Sequence, residues 1–239
     1  MKAVILAGGQ GKRLRPFTSV LPKPLIPIDD RPILDILLNQ LANHGVTEVV
    51  IALNYLGSLI QSYLEASEVG KRLKIRYHWE SQPLGTAGAI GTVEDIADAP
   101  FLVMNGDLLT TLNFAEMYAA HLAQGADLTV GTTRLSVQVQ RGVLDISEAG
   151  LITGYHEKPR LDYAASMGFY VYSPGILPFI RPNSYLDAPT LVVNLIEAGR
   201  KVYSHAPDCR WIDMGNPGEH ERACEEFVTH RDLYLPGAA

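Results

Sequence analysis

Residues 2–28, KAVILAGGQGKRLRPFTSVLPKPLIPI, decide the fold. A short apolar run ending at Ala7 opens directly into Gly8-Gly9-Gln10-Gly11, and three cations follow, Lys12, Arg13 and Arg15. A run of this length and composition reads as a strand buried on both faces, the kind found in parallel sheets. In open α/β sheets, ligands bind beyond the carboxyl ends of the strands, which is where the glycines fall. Glycine admits positive φ and close approach of the backbone, so its N–H groups can cradle a phosphate. Arginine adds a rigid fork for phosphate oxygens and lysine a point charge. A glycine-rich loop after a strand is also the composition of a plain tight turn. Pro22-Lys23-Pro24 adds a second signal, because it holds a lysine in a stretch barred from helix on both sides.

Outward from this stretch, hydrophobic periods alternate. Asp30 precedes RPILDILLNQLANHG, where Leu34, Leu37, Leu38 and Leu41 share a helical face; Asp30 suits the cap, Pro32 the first turn and Gly45 the end. TEVVIAL, RLKIRYHW, FLVMN and ADLTVGTT read as strands, and YLGSLIQSYLEAS, TAGAIGTVEDI and NFAEMYAAHLAQ as the helices between them. Such alternation predicts βαβ units and a mainly parallel sheet. After Thr133, GVLDIS, LITGYHE and GFYVYS come close together, which predicts antiparallel strands added to that sheet. A helix within SYLDAPTLVVNLIEAG, strands KVYSHA and RWIDM, and a helix over NPGEHERACEEFVTH complete the chain.

The chain has 239 residues, 47% of them apolar and 19% charged, which is ordinary for a globular protein able to bury a sizeable core. Its net charge of -6 gives no reason to expect nucleic acid as a partner, since duplex binders carry a basic excess or stripe. No segment has the length of a membrane span and the N-terminal apolar run is too short for a secretory leader, so a cytoplasmic protein without a membrane partner is expected. Cys209 and Cys224 are then expected to be free thiols. No internal repeat, Gly/Ser-rich linker or low-complexity tract interrupts the chain. One α/β domain over residues 1–239 is the economical reading.

The residues GGQGKRLRPFTSVLPKP resemble the signature of the sugar-1-phosphate nucleotidylyltransferases through Gly8, Gly9, Gly11, Arg13, Leu14, Pro16, Thr18, Pro22, Lys23 and Pro24. Two other phosphate motifs are excluded: a P-loop needs Ser or Thr where Arg13 stands, and a dinucleotide fingerprint needs glycine where Leu14 stands. Later stretches follow in the family's order: Glu80–Gly88 (ESQPLGTAG) is similar to its base-recognition loop, Asn105-Gly106-Asp107 to its metal-binding turn, Glu157-Lys158-Pro159 to its sugar-phosphate motif and Trp211-Ile212-Asp213 to its second metal carboxylate. Singly, these could be a turn, an exposed loop and a helix cap. Three positions depart from the pattern: Lys12 where Thr is usual, Arg141 in place of an aromatic before Gly142, and Ser166-Met167-Gly168 where Asn-Ala-Gly is usual. The last two leave the sugar open.

The resemblance implies a Rossmann-like three-layer α/β domain with a mixed, mainly parallel central sheet, the nucleotide-diphospho-sugar transferase fold. Residues 1–133 would form the nucleotide-binding portion and 134–239 the sugar-phosphate-binding portion. It implies transfer of a nucleotidyl group from an NTP to a sugar 1-phosphate, with Mg²⁺ as cofactor, and leaves room for a homo-oligomer. Arg13, Lys23 and Asp107 would be catalytic, and Asp107 and Asp213 would hold the metal. Leu6, Ala7, Gly8, Gly9, Gly11, Lys12, Glu80, Gly85 and Thr86 would bind the nucleotide, and Gly142, Glu157, Lys158 and Gly168 the sugar phosphate. Glu80 is the base-edge position; as a hydrogen-bond acceptor it suits guanine, whereas a Glu80 turned to solvent would leave UTP or dTTP as donor. The seven histidines show no ligand spacing, and Trp211 reads as core packing. Two rivals stay open: a transferase of this fold acting on a non-sugar phosphate or phosphonate, including cytidylyl transfer, and a non-catalytic nucleotide or sugar-phosphate sensor.

Overall fold

The computed structural model describes residues 1–236; the last three residues of the portion expected to end at 239 lie outside them. Strand β1 (Lys2–Leu6) leads into three 3₁₀ turns at Lys12–Leu14, Phe17–Ser19 and Lys23–Leu25. The short hairpin β2 (Pro27–Ile28) and β3 (Arg31–Pro32) follows, then α1 (Ile33–Asn43), β4 (Glu48–Leu53), α2 (Gly57–Ala66), α3 (Glu68–Arg72) and β5 (Lys74–Trp79). Next come α4 (Gly85–Gly88), β6 (Phe101–Asn105), β7 (Leu108–Thr110), α5 (Phe114–Gln124) and β8 (Leu128–Gln138). The hairpin strands β9 (Val143–Ile146) and β10 (Ile152–His156) precede β11 (Arg160–Tyr172) and α6 (Ala188–Glu197). The chain finishes with β12 (Val202–His205), β13 (Trp211–Asp213), α7 (Pro217–Thr229) and α8 (Arg231–Tyr234).

Seven strands form the central sheet in the order β12-β8-β11-β6-β1-β4-β5. Six run parallel to one another, and β11 alone is antiparallel, inserted between β6 and β8. Alternate residues of each strand enter opposite cores, as the two-residue side-chain period requires. Ala3, Ile5, Val49, Ile51, Leu102 and Met104 pack under α1, α2 and α5. Val4, Val50, Phe101 and Val103 pack with α4 and α6 on the other face. The result is the three-layer α/β architecture. A third, smaller core joins Ile33 and Ile36 of α1 to Leu109, Ile212, Phe227 and Tyr234.

Four expectations need correction. Helix α1 starts after Pro32, with no side-chain cap; the Asp30 carboxylate is instead bound by Arg31 and Arg231, whose guanidinium groups hold it well below the usual range. The helix expected over TAGAIGTVEDI gives only α4 and a 3₁₀ turn to Thr92. Gly88 and Gly91 favour helix weakly, and both lie against residues 180–186, where a side chain would collide. Strand β8 continues past Thr133 to Gln138. Of the three strands expected beside the sheet after Thr133, only β11 enters it, between β6 and β8; β9 and β10 pair only with each other, as a local hairpin at the end of the β8–β11 ribbon.

Candidate active site

A cleft of about 360 Å³ opens at the carboxyl ends of β1, β4, β5 and β6. The chain passes from β1 outward to β4 and β5 and then returns to β6 on the other side of β1, so the cleft lies at the topological switch point, where open α/β sheets bind ligands. Leu6, Ala7, Gly8 and Gly9 line one wall, Glu80, Gly85 and Thr86 another, and Lys23 and Asp107 the floor.

The glycines have separate reasons. A β-carbon at Gly8 would stand 3.0 Å from Glu80 Oε1 and 3.1 Å from Asn54 Cβ, so only glycine keeps that corner of the cleft open. Gly9 meets nothing within 4 Å and leaves its backbone free toward a ligand. Gly11 has φ +57°, and a β-carbon there would lie 2.8 Å from Thr18 Cγ2; the Thr18 hydroxyl donates to the Gly11 carbonyl at 2.9 Å. The turn therefore folds back onto Thr18 and sets the start of the segment that carries Arg13. Both Lys12 and Arg13 are exposed and stand outside the cleft wall, with the Arg13 guanidinium over Gly215, next to Asp213.

Asp107 and Asp213, 106 positions apart in sequence, meet because β7 and β13 pair antiparallel with Leu108 opposite Asp213. Met214 N–H donates to the Asp107 carbonyl at 3.2 Å and closes the junction. Between the carboxylates lies Lys23, only 13% exposed, hydrogen-bonded to Asp107 Oδ2 and 3.8 Å from Asp213 Oδ1. Burial and the Asp107 charge push the Asp213 carboxyl up, and Lys23 and Arg13 offset part of this. Asp107 Oδ1 is buried without a hydrogen-bond partner. Among the described residues, no group of three or more His, Cys, Asp or Glu side chains is placed to hold a metal ion by itself.

Glu80 faces the cleft, half-buried. Its Oε2 accepts the Leu84 N–H at 3.2 Å, and burial raises its carboxyl while that bond works the other way. Gly85, at φ +78°, lies against the Leu186 carbonyl, where a β-carbon would come within 2.6 Å. Thr86 lines the cleft, but its polar groups are already used: N–H and hydroxyl reach Asp187 Oδ1, and the hydroxyl accepts Ala188 N–H at 2.8 Å, at the start of α6.

The expected sugar-phosphate residues are not gathered in the cleft. Gly168, at φ +78°, backs Asn105 from behind, where a β-carbon would lie 3.0 Å from the Asn105 Nδ2. Gly142, Glu157 and Lys158 are exposed on the β9–β10 hairpin and the turn after it; Tyr155 hydroxyl donates to Glu157 at 2.8 Å and fills the space beside Gly142. Two wall residues were not singled out from sequence. Asn54 directly follows β4 and donates to the Glu80 carbonyl at 3.0 Å; its position just past a parallel strand is a readable signal. Tyr185 reaches the cleft only because Leu186 exchanges backbone hydrogen bonds with Leu84 and Ala87, about which the local sequence says nothing. Trp211 packs on the main core and donates to the Met167 carbonyl at 2.9 Å, Cys209 and Cys224 are free thiols, and no described helix is long and apolar enough to cross a membrane.

A family model described as nucleotidyl transferase matches residues 2–228. The mannose-1-phosphate guanyltransferase of Saccharomyces cerevisiae is 33% identical over 248 aligned positions, which take in 100% of this chain and 66% of that protein. This chain thus spans just under two thirds of that relative's length. The crystal structure of HddC from Yersinia pseudotuberculosis superposes with TM-score 0.74 at 28% identity, over 95% of this chain and 99% of that one. The same protein complexed with GMP-PN gives TM-score 0.73 at 27% identity over the same shares. With the glycine loop, Lys23 and the paired carboxylates at the strand ends, the chain belongs to the nucleotidyl transferase family, as its resemblance to the sugar-1-phosphate nucleotidylyltransferases indicates.

Proposed function

We propose that this chain transfers a nucleotidyl group from an NTP, with GTP favoured, to a sugar 1-phosphate, releasing pyrophosphate. The observation that carries the reading is the cleft itself: a base-sized wall ending in an inward carboxylate, Glu80, opposite a floor where Lys23 is held between Asp107 and Asp213. In the reaction, an oxygen of the sugar phosphate attacks the α-phosphorus in line, and the bond from that phosphorus to the bridging oxygen of pyrophosphate breaks. Both reactants are anions, so the work asked of the protein is positioning and charge neutralisation.

Lys23 is assigned to the α-phosphate oxygens, the glycine loop and Arg13 to the departing pyrophosphate, and Lys158 with Glu157 to the acceptor, the last two on the resemblance alone. A divalent cation fits at Asp107 and Asp213. Both are hard oxygen donors, Asp107 Oδ1 lacks a partner, and two carboxylates share one ammonium. When bound there, Mg²⁺ would supply further neutralisation of phosphate charge.

The donor preference follows from hydrogen-bond chemistry. A carboxylate only accepts, and guanine presents two adjacent donors, N1–H and the 2-amino group. Uracil and thymine present one N–H between two carbonyl oxygens that repel a carboxylate. The relative named above is called a mannose-1-phosphate guanyltransferase, and HddC has been crystallised with GMP-PN; both agree with guanine and make mannose 1-phosphate the first acceptor to try. The test is kcat/KM for five NTPs with mannose 1-phosphate and other sugar 1-phosphates, with products identified by mass. GTP should lead by about one to two decades, the worth of a good bidentate base contact, and Glu80→Gln should erase the lead. A wild type that prefers UTP or dTTP overturns the Glu80 assignment, and absence of any NDP-sugar overturns the transfer reaction.

A further inference from the structure

Strands β8 and β11 outrun the sheet to which they belong. β12 accompanies β8 only to Gly131, and β6 accompanies β11 only from Phe169. Beyond those points, residues 132–138 and 160–166 form a two-stranded ribbon with no further described strand on either edge, and the β9–β10 hairpin continues from its tip. Together they make an arm of residues 132–166.

Directly opposed residues of an antiparallel pair point to the same side. On the ribbon, Leu135 opposes Tyr163 and Val137 opposes Leu161, making one apolar face, while Arg134 and Asp162 form an ion pair on the other. The hairpin repeats the arrangement: Leu144 opposes Tyr155 and Ile146 opposes Ile152, and on the reverse side Asp145 binds His156 at 2.8 Å. On each polar face these charged groups are paired within the arm. The eight apolar side chains are 40% to 65% exposed, although period-two alternation of this kind normally marks a covered face.

We propose that the apolar faces of the ribbon and the hairpin are the surface through which two copies of the chain form a symmetric dimer. At those exposures the eight side chains of the ribbon and the hairpin together leave roughly 800 Å² in water, the order of area that one partner of a standard-size interface covers. Charge favours a second copy as occupant. The chain carries net charge -6, but residues 134–166 hold four basic and four acidic side chains, so two acidic molecules meet through a neutral segment. A two-fold contact sets the same patch against itself, and a ribbon with both edges free and an apolar face is self-complementary in that way. A membrane surface would instead call for a basic rim, which this neutral arm lacks. Dimerisation through the arm does not depend on the proposed transferase reaction, and its test reads no activity.

The test is sedimentation equilibrium of the full chain over a broad concentration range. Wild type should sediment with twice the chain mass, and Val137→Glu/Leu161→Glu should sediment as a monomer with unchanged far-UV circular dichroism, its association weakened at least roughly 100-fold by buried charge. Should that variant fail to fold, hydrogen exchange of wild type decides: amides of 132–166 should be protected at high concentration and lose protection on dilution. Wild type that is monomeric throughout, a well-folded double variant that still dimerises, or concentration-independent exchange in the arm each overturns the proposal. An arm that serves a different protein would give the first of these results.

Discussion

At the scale of single residues, the site turns on Lys23 and the two carboxylates that flank it. Lys23 is largely buried, and burying a cation costs free energy unless opposite charge accompanies it; Asp107 supplies that charge directly and Asp213 from 3.8 Å. Removing either negative charge should therefore change the electrostatics of the floor without emptying it. Asp107→Asn and Asp213→Asn are each expected to fold and to lose turnover by at least roughly 100-fold, the scale of deleting one preorganised electrostatic contact. The check is steady-state turnover in saturating magnesium beside a thermal melt; a folded Asp107→Asn enzyme at wild-type speed removes Asp107 from the mechanism. Gly8, Gly11 and Lys23 could be picked out in the sequence because glycines after a buried strand and a lysine between prolines form a local pattern, and Asp107 through the resemblance that the ordered motifs carry together. Tyr185 could not, since an exposed tyrosine after Asn-Ser has no local mark of a binding wall.

At the scale of elements, the pairing of β7 with β13 brings the carboxylates together, and the third core holds that pair in place. Ile212 lies opposite Leu109 and is 5% exposed, packed toward Phe227 of α7. Trimming it to Ala should cost about 2–4 kcal/mol of unfolding free energy, as large-to-small changes in cores do. Urea denaturation measures this, and a cost below about 1 kcal/mol would mean that Ile212 does not anchor β13. The αβ alternation from Lys2 to Thr133 could be read from periodicity, because parallel strands buried on both faces leave continuous apolar runs. Past Thr133 the pattern carries less. Leu135 and Val137 already alternate, but alternation states that a face is apolar and not which strand lies beside it.

At the scale of the whole molecule, four histidines set the response to acid. Burial holds His44, His78, His121 and His205 below the usual range, and His121 sits inside α5 with its ring nitrogens 2.9 Å from the Thr129 and Ser173 hydroxyls. When a group's pKa is lower in the folded state, the unfolded chain takes up protons first as pH falls, so stability is fully present above the unfolded value near 6.5 and declines below it. Raised carboxyls at Asp35, Glu80 and Asp213 act in the opposite sense, because there the folded chain takes up protons first as pH falls. The melting temperature should therefore fall between pH 7 and about 5.5, by about 2–4 °C for each kcal/mol lost in a chain of this size. A melting temperature that rises on acidification across that interval contradicts the burial of these histidines.

The sequence by itself determined the α/β class, the sheet position of the glycine loop and the charges around it. Each depends on short-range pattern, such as an apolar run, a glycine where positive φ is needed, or a lysine between prolines. Tertiary structure decided what depends on partners far along the chain. It placed Asp213 beside Asp107 through the β7–β13 pair, took Asp30 away from the α1 cap by offering it Arg231, and committed the Thr86 hydroxyl to α6. It also set Gly142, Glu157 and Lys158 on an arm outside the cleft, because β9 and β10 pair with each other and not with the central sheet. Strand pairing is a competition among all available edges, and its outcome is a property of the assembled sheet and not of any one segment.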